Sequence, residues 1–201
     1  MLVFAGASGT RLDDLWAYRA ATDSWVLLGP SNAPGLQLQG HTAVWDSANA
    51  QMLVFGGASA QDGDLWSYHP ATNIWRQPTP SGEAPRRRSY HSAVWDPASA
   101  RMIVFGGVGG SFETMNDVWA FSPAANSWTE LQPEPPRPFP RFYHRAVWDP
   151  VREQMLVFGG AEPFFGSYLD DLWAYQPRAN TWTDLTGDEA AGPRGRLSYA
   201  T

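Results

Sequence analysis

The sequence predicts an all-β fold of four repeated antiparallel sheets, and three observations carry that expectation. Met1-Leu2-Val3-Phe4-Ala5-Gly6 returns at 52–57, 102–107 and 155–160, at intervals of 51, 50 and 53 residues. Asp14-Leu15-Trp16-Ala17-Tyr18 returns at 64–68, 117–121 and 171–175, followed each time by a second tryptophan, at Trp25, Trp75, Trp128 and Trp182. Glycine (19), proline (17) and tryptophan (11) are all plentiful, which suits short strands and tight turns. Self-similarity at a fixed period marks a repeat architecture.

Each unit holds four short β-prone segments. Segment a is Ala-Val-Trp-Asp (43–46, 93–96, 146–149), and segment b is Met-Leu/Ile-Val-Phe-Gly-Gly. Segment c is Asp-Leu/Val-Trp-x-Tyr/Phe, and segment d surrounds the second tryptophan. Segment b is apolar without alternation, as expected of a strand buried on both faces. Turn chemistry joins the segments at Asp96-Pro97, Asp149-Pro150, Pro70-Ala71-Thr72-Asn73 and Pro177-Arg178-Ala179-Asn180. Four strands with short turns make an antiparallel meander. A single meander cannot bury both its faces, but sheets packed radially can, so the expected architecture is a β-propeller of four blades.

These residues resemble the kelch repeat. The period of about 50 residues matches it. So do the double glycines Gly56-Gly57, Gly106-Gly107 and Gly159-Gly160, and an aromatic followed seven residues later by tryptophan, as at Tyr68 and Trp75. The likeness covers essentially the whole chain, read as a single domain over 1–201 with repeats at about 1–50, 51–100, 101–153 and 154–201. Ala5 and Phe121 are its departures. The resemblance implies a non-catalytic protein-binding module. Its alternative is a relative of kelch-type carbohydrate-active enzymes such as epimerases and oxidases. A copper-radical oxidase needs a cross-linked cysteine, and the chain has no cysteine.

Composition narrows the classes. The net charge is −6, from 14 basic and 20 acidic residues, which argues against nucleic acid or an anionic membrane as partner. Without cysteine there are no disulfides and no thiolate chemistry. Apolar runs reach only about five residues, so neither a membrane span nor a signal peptide is expected. If Met1 is a true start, the expected compartment is the cytoplasm.

All 11 tryptophans occupy repeat positions, so they read as inter-blade packing rather than a sugar-binding platform. His41, His91 and His144 also recur, just before segment a, with Tyr199 in the fourth place. A metal site on the axis would need them to converge to ligand distance. Repeated turn hydrogen bonds explain them better, and no metal or other cofactor is expected. The recurring aspartates (Asp14, Asp64, Asp117, Asp171; Asp46, Asp96, Asp149) are expected to satisfy turn amides.

Variation marks the expected binding face. The a–b interval is 11 residues in each repeat and the c–d interval is nine, whereas b to c runs 15, 14, 17 and 18. In a meander, the b–c and d–a connections emerge on one side. That side carries Phe112, Phe142, Phe165 and Tyr168, and most of the arginines. Arg88, Arg141 and Arg196 each stand three residues before the His or Tyr position, with Leu38 at the first. Two readings stand for them: a ring at the channel mouth that holds a protein or peptide through an anionic group, or, as the more expected one, pairing of each with an acid of a neighbouring blade. No nucleophile elbow, phosphate loop or metal-ligand spacing is present. Glu83, Glu113, Glu134 and Glu162 lie in the loops without an evident partner.

The chain begins at segment b and ends at Leu197-Ser198-Tyr199-Ala200-Thr201, which aligns with the entry to a segment a and stops before Val-Trp-Asp. A closing strand would be short by about three residues. Two readings follow, a small four-bladed ring with a truncated latch or a part of a larger ring; an open array would expose two blade faces and self-associate.

Overall fold

The computed structural model describes residues 1–35, 38–58, 65–162 and 168–187. All its regular structure is β, in four antiparallel sheets. Blade 1 is β1 (Leu2–Ser8), β2 (Thr10–Arg19) and β3 (Ser24–Leu28). Blade 2 is β4 (Thr42–Asp46), β5 (Gln51–Phe55), β6 (Leu65–His69) and β7 (Ile74–Arg76). Blade 3 is β8 (Ser92–Asp96), β9 (Arg101–Val108), β10 (Thr114–Ser122) and β11 (Ser127–Leu131). Blade 4 is β12 (Arg145–Asp149), β13 (Gln154–Phe158), β14 (Leu172–Gln176) and β15 (Thr181–Asp184). Blades 2 to 4 are a-b-c-d meanders. Blade 1, which begins at segment b, has three strands among the described residues, b, c and d.

Register repeats from blade to blade. Val44 faces Leu53, Val94 faces Ile103 and Val147 faces Leu156. The a–b turns are held by aspartate, as expected. Asp46 Oδ1 accepts the Ala48 and Asn49 N–H groups at 3.0 and 3.1 Å, and Asp96 and Asp149 do the same for their own turns. The c–d turns are held differently, by a tyrosine hydroxyl on the turn's Asn or Asp: Tyr68 on Asn73, Tyr175 on Asn180 and Tyr18 on Asp23. These bonds hold the a–b turns and three of the four c–d turns; the turn after Phe121 keeps the same length without a hydroxyl.

The core consists of three clusters, one between each pair of consecutive blades. Phe4 and Leu15 pack on Met52, Val54, Tyr68 and Trp75. Val44, Leu53, Phe55 and Leu65 pack on Met102, Val104, Trp119, Phe121 and Trp128. Val94, Ile103, Phe105 and Val118 pack on Met155, Val157, Trp173, Tyr175 and Trp182. Period-2 alternation divides each strand between two neighbours, which explains why segment b is apolar throughout. Every interface centres on one pair. The segment-b phenylalanine meets the next blade's segment-d tryptophan, with ring centroids 4.7 Å apart for Phe4–Trp75, 4.8 Å for Phe55–Trp128 and 4.8 Å for Phe105–Trp182. Among the described residues no cluster joins blade 4 to blade 1. Trp25 and Trp45, read from sequence as packed, are accordingly exposed on blade 1 and beside it.

The double glycine is a requirement of close approach. Gly57, Gly107 and Gly160 have φ of 104°, 103° and 101°. A Cβ there would lie 3.0, 2.8 and 2.9 Å from the Cβ of His41, His91 and His144 respectively. Only glycine accepts both the conformation and the contact.

Phe105 is fully buried between two blades, whereas Phe112 is 81% exposed on a loop. Phe105→Ala is expected to destabilise the fold by about 3–5 kcal/mol, and Phe112→Ala by less than about 0.5 kcal/mol. Urea denaturation of the two variants beside the parent chain checks the contrast.

Candidate binding face

The d–a loops are drawn inward by a recurring clamp. Arg88 is buried, and its guanidinium meets Asp117 in two bonds of 2.7 Å each. It also donates to the Gly106 carbonyl at 3.0 Å, and through Nε to the Arg86 carbonyl at 3.0 Å. Arg141 repeats this set on Asp171, at 2.5 and 2.6 Å, and on the Gly159 and Phe139 carbonyls. The indole N–H of Trp119 completes Asp117, and that of Trp173 completes Asp171. Each carboxylate is therefore neutralised by an arginine that uses four of its five N–H donors in these bonds. Burial pushes Asp117 and Asp171 up, but the hydrogen bonds and charge of their arginines outweigh it and hold both below the usual value of 3.8.

This corrects two expectations. Arg88 and Arg141 do not present charge at a channel mouth, because their donors are spent inside the protein. Asp117 and Asp171 do not hold turn amides; they hold arginine and tryptophan. Leu38, in the arginine position of the first repeat, is buried in the blade 1–blade 2 cluster instead. Arg196 and Phe165 lie outside the described residues.

A second device links consecutive blades through backbone. The second glycine of each motif donates its N–H to the carbonyl at the arginine position of the next blade: Gly6 to Leu38, Gly57 to Arg88 and Gly107 to Arg141. One step along, Tyr90 N–H bonds the Gly40 carbonyl at 2.7 Å and Tyr143 N–H bonds the Tyr90 carbonyl at 3.0 Å. Tyr90 and Tyr143 have φ of 55° and 57°, and their rings stack at 4.1 Å. Sequence reading missed this ladder. Its signal was the column Gly40, Tyr90, Tyr143, one residue before each histidine.

The histidines are inter-blade hydrogen-bonding groups. His91 Nε2 lies 2.7 Å from Thr42 Oγ1, and His144 Nε2 lies 2.9 Å from Ser92 Oγ. Burial, then the Arg141 charge, pushes His144 down to about 3. Burial, then the Arg88 charge, takes His91 well below its ordinary 6.5. Both are neutral at physiological pH. Among the described residues no group of three or more His, Asp or Glu is placed to hold a metal ion.

Together these elements line a cavity of about 380 Å³ on the b–c and d–a side. All four blades reach it, through Gly6 and Ala7, Gln39 to Thr42, Tyr90 and His91, and Tyr143 to Arg145. Phe112, Phe139 and Tyr168 are exposed on loops of the same side, as are Arg86, Arg87 and Arg137. Phe142 is half-buried, its ring 5.0 Å from Tyr143. Glu113 is used locally, accepting the Ser111 N–H at 3.0 Å.

A rigid radial scaffold with variable loops on one side defines the repeat-propeller class of proteins. The KLHDC2/KLHL20/DRC7 kelch-repeats domain matches residues 1–201, and the chain belongs to this kelch-repeat family. Kelch-repeat domains generally serve as protein-interaction modules. The chain is also 28% identical over 89 residues to a Rho GTPase-activating protein, gacHH, of Dictyostelium discoideum. That match covers 42% of this chain and 6% of the length of that protein.

The buried histidines predict acid sensitivity. Unfolded, each titrates near 6.5; folded, each stays neutral to lower pH, so the unfolded chain binds more protons. Stability is therefore full above about pH 6.5 and falls as pH drops toward 3, by up to about 1.4 kcal/mol per pH unit for each histidine. Urea denaturation at stepped pH is expected to show this slope. His144→Gln is expected to reduce it.

Proposed function

We propose that this kelch domain binds a protein partner through the b–c and d–a face, seating an extended segment over the channel cavity. The observation that carries the reading is the cavity of about 380 Å³, reached by all four blades, with exposed aromatics on the loops of the same side. Rigid aromatic surface contributes contact area at little entropic cost, which is why such residues dominate interaction hot spots. The opposite side carries short turns, most of them tied down by their own Asp and Tyr bonds, and a cavity of about 400 Å³ on it is lined by blades 2 and 3 alone. Arg88 and Arg141 play no direct part in this proposal. The attraction for acidic residues rests on the exposed Arg86, Arg87 and Arg137.

Photo-crosslinking separates the two sides. A benzophenone side chain at Phe112 or Tyr168 is expected to capture a partner from a cell extract. The same group at Val151, 86% exposed on an a–b turn, is expected to capture none. Capture at Val151 alone would place recognition on the other side. Charge reversal at Arg86, Arg87 and Arg137 is expected to weaken capture at Phe112 and to lower its sensitivity to salt.

A further inference from the structure

The register of blade 2 gathers a set of unlike side chains on the face it turns to blade 3. Leu53 pairs with Ser67, and Ser67 with Arg76. Side chains along a strand alternate, so His69 shares that face with Ser67. Leu53 packs into the cluster between blades 2 and 3, which fixes the direction of the face. On the side of the a–b and c–d turns, a cleft of about 400 Å³ lies between the two blades. Ser67, His69 and Arg76 line it from blade 2. Leu53 and Phe121, both buried, give it apolar walls. The Asn126 side chain donates to the Thr79 carbonyl at 3.0 Å and ties the two sides of the cleft together.

Three of these residues break the repeat. Where blade 2 has Ser67, the other blades have Ala17, Ala120 and Ala174. Where it has His69 and Arg76, blade 3 has Ser122 and Thr129, and blade 4 has Gln176 and Thr183. The other blades fold without them, so packing does not require them. Their charge is also uncompensated. The cleft lining contains no carboxylate, although the chain has a net charge of −6. Asp46, whose charge reaches His69, already accepts the Ala48 and Asn49 amides and the side chains of Asn49 and Gln51. Among the described residues the His69 ring and the Arg76 guanidinium have no hydrogen-bond or ion-pair partner. The matching notch between blades 3 and 4 differs, because Arg101 and Arg178 share it with Asp96 and Glu153. Burial, then the Arg76 charge, pushes His69 below its ordinary 6.5 against the pull of Asp46. At neutral pH the cleft therefore carries the single charge of Arg76.

We propose that this cleft is a binding site, separate from the loop face, for a small organic acid that carries one carboxylate. Arg76 holds the carboxylate, Ser67 and His69 donate to it, and Leu53 and Phe121 receive the apolar body. A planar guanidinium with unspent donors matches a carboxylate through two parallel bonds. One cation balances one anion, which favours a carboxylate over a doubly charged phosphate. The volume lies within the range of about 300–1,000 Å³ common to small-molecule pockets.

Benzoate is the probe, read through the histidine ring resonances of the 22.2 kDa chain by NMR, with His69 assigned by its loss in His69→Gln. Benzoate is expected to shift the His69 resonances with half-saturation on the order of 1 mM. It is also expected to raise the pH at which His69 titrates, because a bound anion favours the charged ring. Benzamide, nearly the same shape without the charge, is expected to leave the resonances in place. Arg76→Thr supplies the residue found in blades 3 and 4, so the fold is expected to hold while benzoate binding weakens about tenfold or more. Arg101→Gln, in the next notch, is expected to leave binding unchanged. A shift that is absent or never saturates, an equal shift with benzamide, or full benzoate binding by Arg76→Thr would each overturn the proposal. Phenyl phosphate binding more tightly than benzoate would overturn the assignment to a carboxylate.

Discussion

The structure depends on one constraint: a four-stranded meander has two apolar faces and cannot bury either by itself. The solution is repeated three times. A phenylalanine at the end of segment b is set against the outer tryptophan of the next blade, at 4.7–4.8 Å in every case. Such aromatic pairs add about 0.5–1.5 kcal/mol beyond the area they bury. Their larger effect is geometric. The phenylalanine also lies edge-on to the next blade's histidine, at 5.9, 5.3 and 5.2 Å, so the same ring positions the inner rim. Outer tryptophan, inner histidine and central phenylalanine thus lock each blade to its neighbour from rim to axis.

The loop side is organised by a second interaction that depends on the first. Arg88 and Arg141 reach under their own loops to Asp117 and Asp171, and each aspartate is held by the indole of a core tryptophan. The charge pair is buried, and burial of ions is costly unless every donor and lone pair is used. Here the guanidinium also bonds a glycine carbonyl of the double-glycine motif and a carbonyl of its own loop. The clamp therefore ties loop entry to strand end and leaves the distal part of each loop, with Arg86, Arg87 and Arg137, in solvent.

Much of this was legible in the residues. Repeat spacing defined the blades, the strand order and the side on which length varies, since each depends on local pattern and turn chemistry. The double glycines marked the repeat in the sequence, and the structure shows why they are glycine: a Cβ on the second of each pair would lie 2.8–3.0 Å from a histidine Cβ. Pairing between columns was not legible. Arg88 and Asp117 are 29 residues apart, and nothing local in either says that they meet. Asp46 and Asp117 look alike in sequence, each within two residues of a tryptophan, yet one ends a strand and takes turn amides while the other sits at a register shift inside β10 and takes arginine. The arginines form no ring for this reason: equivalent positions in a propeller share the same buried bond, here to an acid of the blade each arginine leads into rather than of a neighbouring one.

The uniformity of one side and the variability of the other have the same origin. An a–b turn must bring its aspartate within reach of two backbone amides, and in blades 1, 2 and 4 a c–d turn must set a tyrosine hydroxyl against a side chain five residues on. An inserted residue would break those bonds in either turn. The b–c loop has no such closing bond repeated in every blade. Gly109 and Glu113 close one such loop through a backbone bond, and Ala161, Tyr168 and Leu169 close another by a different pairing. Length can change there without disturbing the Phe–Trp core or the Arg–Asp clamp beneath. Sequence can vary there without loss of fold, and it is on that side that the residues of the proposed binding face, Phe112 and Tyr168, stand exposed.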